Sequence, residues 1–149
     1  MQQDTFQKFH ISVKALLVCQ NEFLVLNVGR QYKNYGKLDL PGGRVNHDEI
    51  IEDVLIRELK EEIGLEIDKK VYELVGLNQR YNYFFYEQDK VCMCEIYYLV
   101  NIAHKLEIIL SEEHMAYEWI SSQTDLSKYE FKSKSHADLI SKFQKTYCK

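Results

Sequence analysis

The chain has 149 residues, 46% apolar and 28% charged, which suffices for one buried core and excludes a disordered chain, so a single domain over residues 1–149 is expected. Its net charge of −4, without any lysine and arginine block, argues against long nucleic acid held by phosphate contacts. Uncharged apolar runs such as Ala15 to Cys19 and Ile96 to Val100 are far too short for a helical bilayer crossing, and the start MQQDTFQKFH lacks an export pattern. The expectation is a cytoplasmic protein with no membrane partner.

In chain order, Ile11 to Cys19 reads as an aliphatic strand, Gln20-Asn21-Glu22 as a tight turn, and Phe23 to Val28 as a second strand. Gly29 to Gly36 is a loop, followed by the short run Lys37 to Leu40 and a stop at Pro41-Gly42-Gly43. From Asp48 or Glu49 to Glu62 the apolar residues Ile50, Ile51, Val54, Leu55, Leu59 and Ile63 recur at helical spacing, and Gly64 suits a left-handed cap. Val71 to Tyr86 and Val91 to Ile102, parted by Glu87-Gln88-Asp89-Lys90, predict a long hairpin. Tyr117 to Ile120 adds a short strand, and Ser135 to Tyr147 closes the chain as a helix. The order neither alternates strictly nor segregates, which predicts an α/β (α+β) domain with a mixed sheet sandwiched by helices. Four cysteines (Cys19, Cys92, Cys94 and Cys148) match neither a paired zinc motif nor a disulfide framework; Cys92 and Cys94 share a strand face and read as buried thiols.

Successive helix positions advance about 100°, so Ile51, Val54, Leu55, Glu58, Glu61 and Glu62 lie on one stripe that turns from apolar to acidic. Carboxylates at such spacing approach within about 5–6 Å and repel by roughly 3 kcal/mol at an effective dielectric near 20. A solvated helix face explains many charge runs of this kind. A divalent cation bridging the oxygens explains the cluster too, and Gly42-Gly43 just upstream lets backbone approach a ligand closely.

Residues 43 to 65, GRVNHDEIIEDVLIRELKEEIGL, resemble the Nudix signature Gx5Ex7REUxEExGU, where U is a bulky aliphatic residue. Gly43, Glu49, Arg57, Glu58, Leu59, Glu61, Glu62, Gly64 and Leu65 match its fixed positions. The resemblance implies an α/β/α sandwich and hydrolysis of a phosphoanhydride bond with Mg²⁺ or Mn²⁺. By position, Glu58, Glu61 and Glu62 resemble the metal-binding glutamates, with the Gly43 carbonyl a further candidate ligand. Arg57 and Glu49 resemble the pair that braces loop and helix. A further carboxylate often precedes a late tryptophan in this family; before Trp119, Glu113 is the candidate, with Glu112 as the alternative. His114 beside it is read as an incidental loop histidine. Arg44 and Arg30 are candidates for phosphate contact, since a guanidinium presents forked donors. The proton acceptor is one of Glu58, Glu61, Glu62 or Glu113.

The resemblance implies a small nucleotide substrate and a monomer or homodimer. The absence of any proline but Pro41 disfavours the branch acting on ADP-ribose. Residues Leu110 to Ile120 resemble diadenosine-polyphosphate hydrolases, with Tyr81 and Tyr83 as candidates for base stacking, whereas Gly36 to Gly43 looks more like nucleoside-triphosphate pyrophosphohydrolases. Both classes stay open, as does core packing for the aromatic strand residues. A reading from another class is a catalytically silent Nudix-fold nucleotide or metabolite sensor.

Overall fold

A computed structural model describes residues 6–80 and 84–147. Its elements are β1 (Phe9–Cys19), β2 (Glu22–Val28), β3 (Leu38–Asp39), β4 (Gly42–Arg44), α1 (Ile51–Ile63), β5 (Tyr72–Gln79), β6 (Phe84–Tyr86), β7 (Asp89–Asn101), β8 (His114–Ser121), a 3₁₀ turn (Leu126–Lys128) and α2 (Lys134–Tyr147). The main path of the sheet runs β3-β2-β1-β7-β5, with β8 paired to β2, β4 to β1 and β6 to β7. β1 and β7 are parallel and the other pairs antiparallel, so the sheet is mixed as expected.

Helices cover both faces, which is why β1 and β7 are apolar on both sides instead of alternating. Val13, Ala15 and Leu17 of β1 join Val54, Leu55, Leu59 and Ile63 of α1 in one core layer. Leu16 and Val18 face the other way, against Leu139 and Ile140 of α2. The β1–β2 hairpin turns on Gln20 and Asn21, both at positive φ, so its loop is two residues long and Glu22 already belongs to the strand.

Several boundaries depart from the expectation; β1 and β7 each begin two residues early, at Phe9 and Asp89. α1 starts at Ile51, not at Asp48 or Glu49, because Asp48 has φ of 64° and directs the chain away from helical geometry. Its end matches: Gly64 adopts φ of 71°, and the N–H groups of Gly64 and Leu65 donate to the Lys60 and Leu59 carbonyls. The strand expected over Val71 to Tyr86 is divided between β5 and β6. β8 begins at His114, not Tyr117, because β2 supplies pairing partners along its whole length, from Glu22 opposite Ser121 to Val28 opposite His114. Cys92 is buried whereas Cys94 is half-buried, and both are free thiols. No described helix is long and apolar enough to cross a membrane.

Candidate active site

β1 pairs with β2 only near the hairpin turn and with β4 nearer its start, so the two long strands splay and the chain from Leu38 to Arg44 fills the gap. Gly42 sits there at φ of 140°, and a Cβ on it would fall 2.0 Å from the Val13 carbonyl oxygen. Only glycine lets β4 lie this close to β1. A cavity of about 420 Å³ opens at the splay, lined from α1 by Glu58 and Glu62, from β4 by Gly43 and Arg44, and from the start of β8 by Glu113 and His114.

Glu62 points beneath β4, where its Oε2 accepts the Gly42 N–H at 2.7 Å. Burial, reinforced by the charges of Glu58 and Asp39, pushes its carboxyl up to about 8 against the pull of Lys14 and Gly42. Glu58 lies against Gly43, on which a Cβ would come within 2.3 Å of Glu58 Oε1. Burial raises Glu58 too, with Glu61 and Glu113 adding to it and Arg57 opposing.

Arg57 holds this edge of the helix together. Its Nε and Nη2 donate to Glu49 at 2.7 and 3.1 Å, and its Nη1 donates to Glu58 at 2.8 Å and to Glu61 at 3.0 Å. The Glu49 carboxylate also accepts the Asn46 N–H at 2.7 Å, so the loop ahead of α1 is tied to the middle of the helix. Glu61 is drawn to Arg57 on the exposed side and does not line the cavity.

The loop carrying Glu113 is fixed from both sides. The Ser111 N–H donates to the Glu62 carbonyl at 3.0 Å, and the Gly29 N–H to the Glu113 carbonyl at 2.9 Å. Glu113 thereby enters the cavity and Glu112 does not, its carbonyl instead accepting Gln31 Nε2. His114, read from sequence as incidental, is buried with Nδ1 4.0 Å from Glu62 Oε1 and lacking a hydrogen-bond partner among the described residues. Burial lowers its imidazole to about 4, so it is neutral at pH 7 and offers a lone pair. Glu62, Glu113 and His114 present ligand atoms within 4.8 Å of one another. Clustered carboxylates, one of them forced towards protonation, beside an orphaned imidazole nitrogen form a donor set that a divalent cation fits.

Of the other sequence candidates, Arg44 lines the cavity with its guanidinium 5.3 Å from the Phe84 ring centre. Arg30 is exposed and outside the lining; Tyr32, Lys33 and Asn34 of the same loop enter instead. Tyr81 and Tyr83 lie outside the described residues.

The opposite wall was not anticipated. Lys14 Nζ, buried, donates to Asp39 Oδ2 at 3.0 Å and to the Leu40 carbonyl at 3.2 Å. Burial would raise Asp39, but Lys14, His136 and Lys132 outweigh it and hold the carboxyl well below the usual range. Glu95 of β7 accepts Arg80 Nη2 at 2.7 Å and the Tyr97 hydroxyl at 2.6 Å; against the penalty of burial, His136, Tyr97 and Arg80 bring it down to about 2. His136 of α2 has no exposed surface, with Nδ1 3.3 Å from Asp39 and Nε2 3.4 Å from Glu95. Neither nitrogen makes a well-aligned hydrogen bond with a described residue. The signal for this wall was present in Lys14 and Glu95, charged residues inside runs otherwise apolar on both faces.

The NUDIX domain profile matches residues 8–143. No curated protein matches the chain in sequence. Among solved structures, the MutT protein from Methanosarcina mazei Go1 is 28% identical with a TM-score of 0.72, over 98% of this chain and 100% of that one. The Escherichia coli dihydroneopterin triphosphate pyrophosphohydrolase is 19% identical with a TM-score of 0.72, covering 94% and 99%. A Caenorhabditis elegans Ap4A hydrolase is 17% identical with a TM-score of 0.64, covering 93% and 98%. The last two share the fold alone. With its signature intact on α1 and the domain profile spanning nearly its whole length, the chain belongs to the Nudix family of hydrolases, which act on phosphoanhydrides.

Proposed function

We propose that this chain is a Mg²⁺- or Mn²⁺-dependent pyrophosphohydrolase that cleaves a phosphoanhydride bond in a small nucleotide, either a nucleoside triphosphate or a dinucleoside polyphosphate. The supporting observation is the gathering of Glu58, Glu62, Glu113 and His114 in one cavity beneath a glycine turn, with ligand atoms of the last three within 4.8 Å of one another. Glu58, Glu62 and Glu113, with Glu61 and the Gly43 carbonyl, are the residues that would hold the metal. A divalent ion there supplies charge neutralisation for the phosphate chain and acidity for the attacking water.

The protein's own groups divide the remaining work. Arg57 fixes Glu58 relative to Glu49 and β4, so the acidic edge keeps its shape before substrate arrives. Arg44 stands at the cavity wall where its free donors meet phosphoryl oxygens. Glu58, Glu62 and Glu113 lie where they can take the proton of the attacking water, and neutral His114 is a further acceptor beside them.

The Nudix fold serves unlike substrates, so the fold does not select one. Incubation with Mg²⁺ or Mn²⁺ and a panel of nucleoside triphosphates, dinucleoside polyphosphates and nucleotide sugars tests the proposal. Conversion of a triphosphate or dinucleoside polyphosphate, abolished by chelator, is the expected result. Binding without conversion across the panel favours a silent sensor instead.

A further inference from the structure

The sheet wall of the cavity is built from paired charges, and the two members of each pair differ in what they show to a ligand. Glu95 and Asp39 have side-chain exposures of 3% and 4%, whereas their partners Arg80 and Lys132 are 33% and 35% exposed. The carboxylate oxygens are also occupied. Glu95 accepts from Arg80, from Tyr97 and, at 3.4 Å, from Ser135. Asp39 accepts from Lys14, from Lys132 and from the Leu40 N–H. What remains on display is N–H: the Arg80 guanidinium spends one donor on Glu95 and keeps its Nε buried without a partner among the described residues, and the Lys132 ammonium spends one on Asp39. A donor surface with its acceptors sealed behind it recognises acceptor atoms.

The charges nearly cancel. Lys14, Arg80 and Lys132 face Asp39 and Glu95, which leaves one unit of positive charge over the wall, His136 apart. Both arms are held by backbone. The Arg80 N–H donates to the Met93 carbonyl at 2.9 Å, and the Lys132 N–H to the Leu38 carbonyl at 2.8 Å. Sheet register gives the separation: Arg44 on β4 lies opposite Ser12 on β1, and Ser12 opposite Glu95 on β7, so Glu95 is two strands from β4, about 10 Å. A nucleotide with its phosphates at β4 and α1 brings its base to this wall, where Met93 supplies an apolar surface.

Resting on the nucleotide reading above, we infer that Arg80 and Lys132 are specificity-determining residues that select a purine with a 6-oxo group beside N7 over one with a 6-amino group there. A 6-oxopurine offers O6 beside N7, two acceptors for N–H donors, whereas a 6-aminopurine places an N–H₂ donor beside N7. An amine set against a guanidinium or ammonium leaves donors facing donors, and a polar site rejects such a mismatch more sharply than an apolar one.

Calorimetric titration of the intact protein with nucleoside monophosphates in the presence of chelator tests this apart from catalysis, because a monophosphate has no anhydride bond to cleave. GMP is expected to bind about tenfold or more tightly than AMP, the size of a hydrogen bond to a charged group gained or lost. Lys132→Met and Arg80→Met are each expected to erase much of that ratio. Equal or inverted ratios in the wild-type protein, absence of nucleotide binding, or a preference that survives both substitutions in folded variants would overturn the inference. The wild-type comparison decides on its own if Arg80→Met fails to fold. Discrimination without any hydrolysis of the substrate panel defeats only the proposed activity; hydrolysis without discrimination defeats only this inference.

Discussion

The two walls of the cavity carry similar numbers of ionisable groups and treat them in opposite ways. On the sheet wall every buried carboxylate has a cation of its own: Asp39 has Lys14 and Lys132, and Glu95 has Arg80. Both are held well below the ordinary carboxylate range. On the α1 wall burial raises Glu58 and Glu62 above it, and the cations that act on them, Arg57 on Glu58 and Lys14 on Glu62, do not offset it. The comparison teaches that burial alone does not mark a catalytic carboxylate. What distinguishes α1 is charge left uncompensated by the protein, which is where an external cation gains most.

The largest expected effect breaks the α1 side. Glu62→Gln removes an oxygen ligand at the buried end of the cluster, and kcat/KM for Mg²⁺-dependent phosphate release should fall by about a thousandfold or more, ~4 kcal/mol of barrier. Because that carboxyl is penalised by burial, the metal-free variant should melt no lower than wild type at pH 8. Glu61→Gln sharpens the point: with its partner Arg57 on the exposed side, it should lose less than Glu62→Gln under the same assay. Equal losses would show that Glu61 swings inward on binding.

The sheet wall should respond in stability more than in turnover. Glu95 titrates near 2 in the folded state against an ordinary value of 4.5, so the unfolded chain binds more protons between those values. Its contribution is therefore complete above about pH 4.5, where it is on the order of 3 kcal/mol, and is lost as pH falls towards 2. Chemical denaturation at stepped pH should show that slope in wild type and a shallower one in Glu95→Gln. A smaller effect belongs to the turn between the walls. In Gly43→Ala the new methyl meets the Glu58 carboxylate, the movable end of a side chain, so the protein should fold normally while activity drops by about tenfold, ~1.4 kcal/mol. An unchanged rate would mean that the placement of Glu58 is not critical.

Much of this architecture was legible from residue spacing. The apolar stripe of α1, its Gly64 stop and the aliphatic runs of β1 and β7 are local patterns, and each reappears within a few residues of its expected bounds. The acidic edge was legible for the same reason, since a helix converts sequence spacing into shared direction. His114 was not, because its burial comes from pairing of β8 with β2, a contact between residues far apart in the chain. Nor was the Asp39, Glu95 and His136 cluster, whose members come from β3, β7 and α2 and meet only once the layers stack. Arg30 was misjudged for a related reason: the side chains a loop sends inward depend on its turns, and here Tyr32, Lys33 and Asn34 face the cavity.

The most direct test of the uncompensated α1 charge is a crystal soaked in Mn²⁺ and measured at the manganese edge. Anomalous density should lie between Glu62 and Glu113, about 2.2 Å from carboxylate oxygens as hard-cation coordination requires, and should vanish in Glu62→Gln. Density elsewhere, or none at saturating Mn²⁺ with the carboxylates still apart, would contradict it.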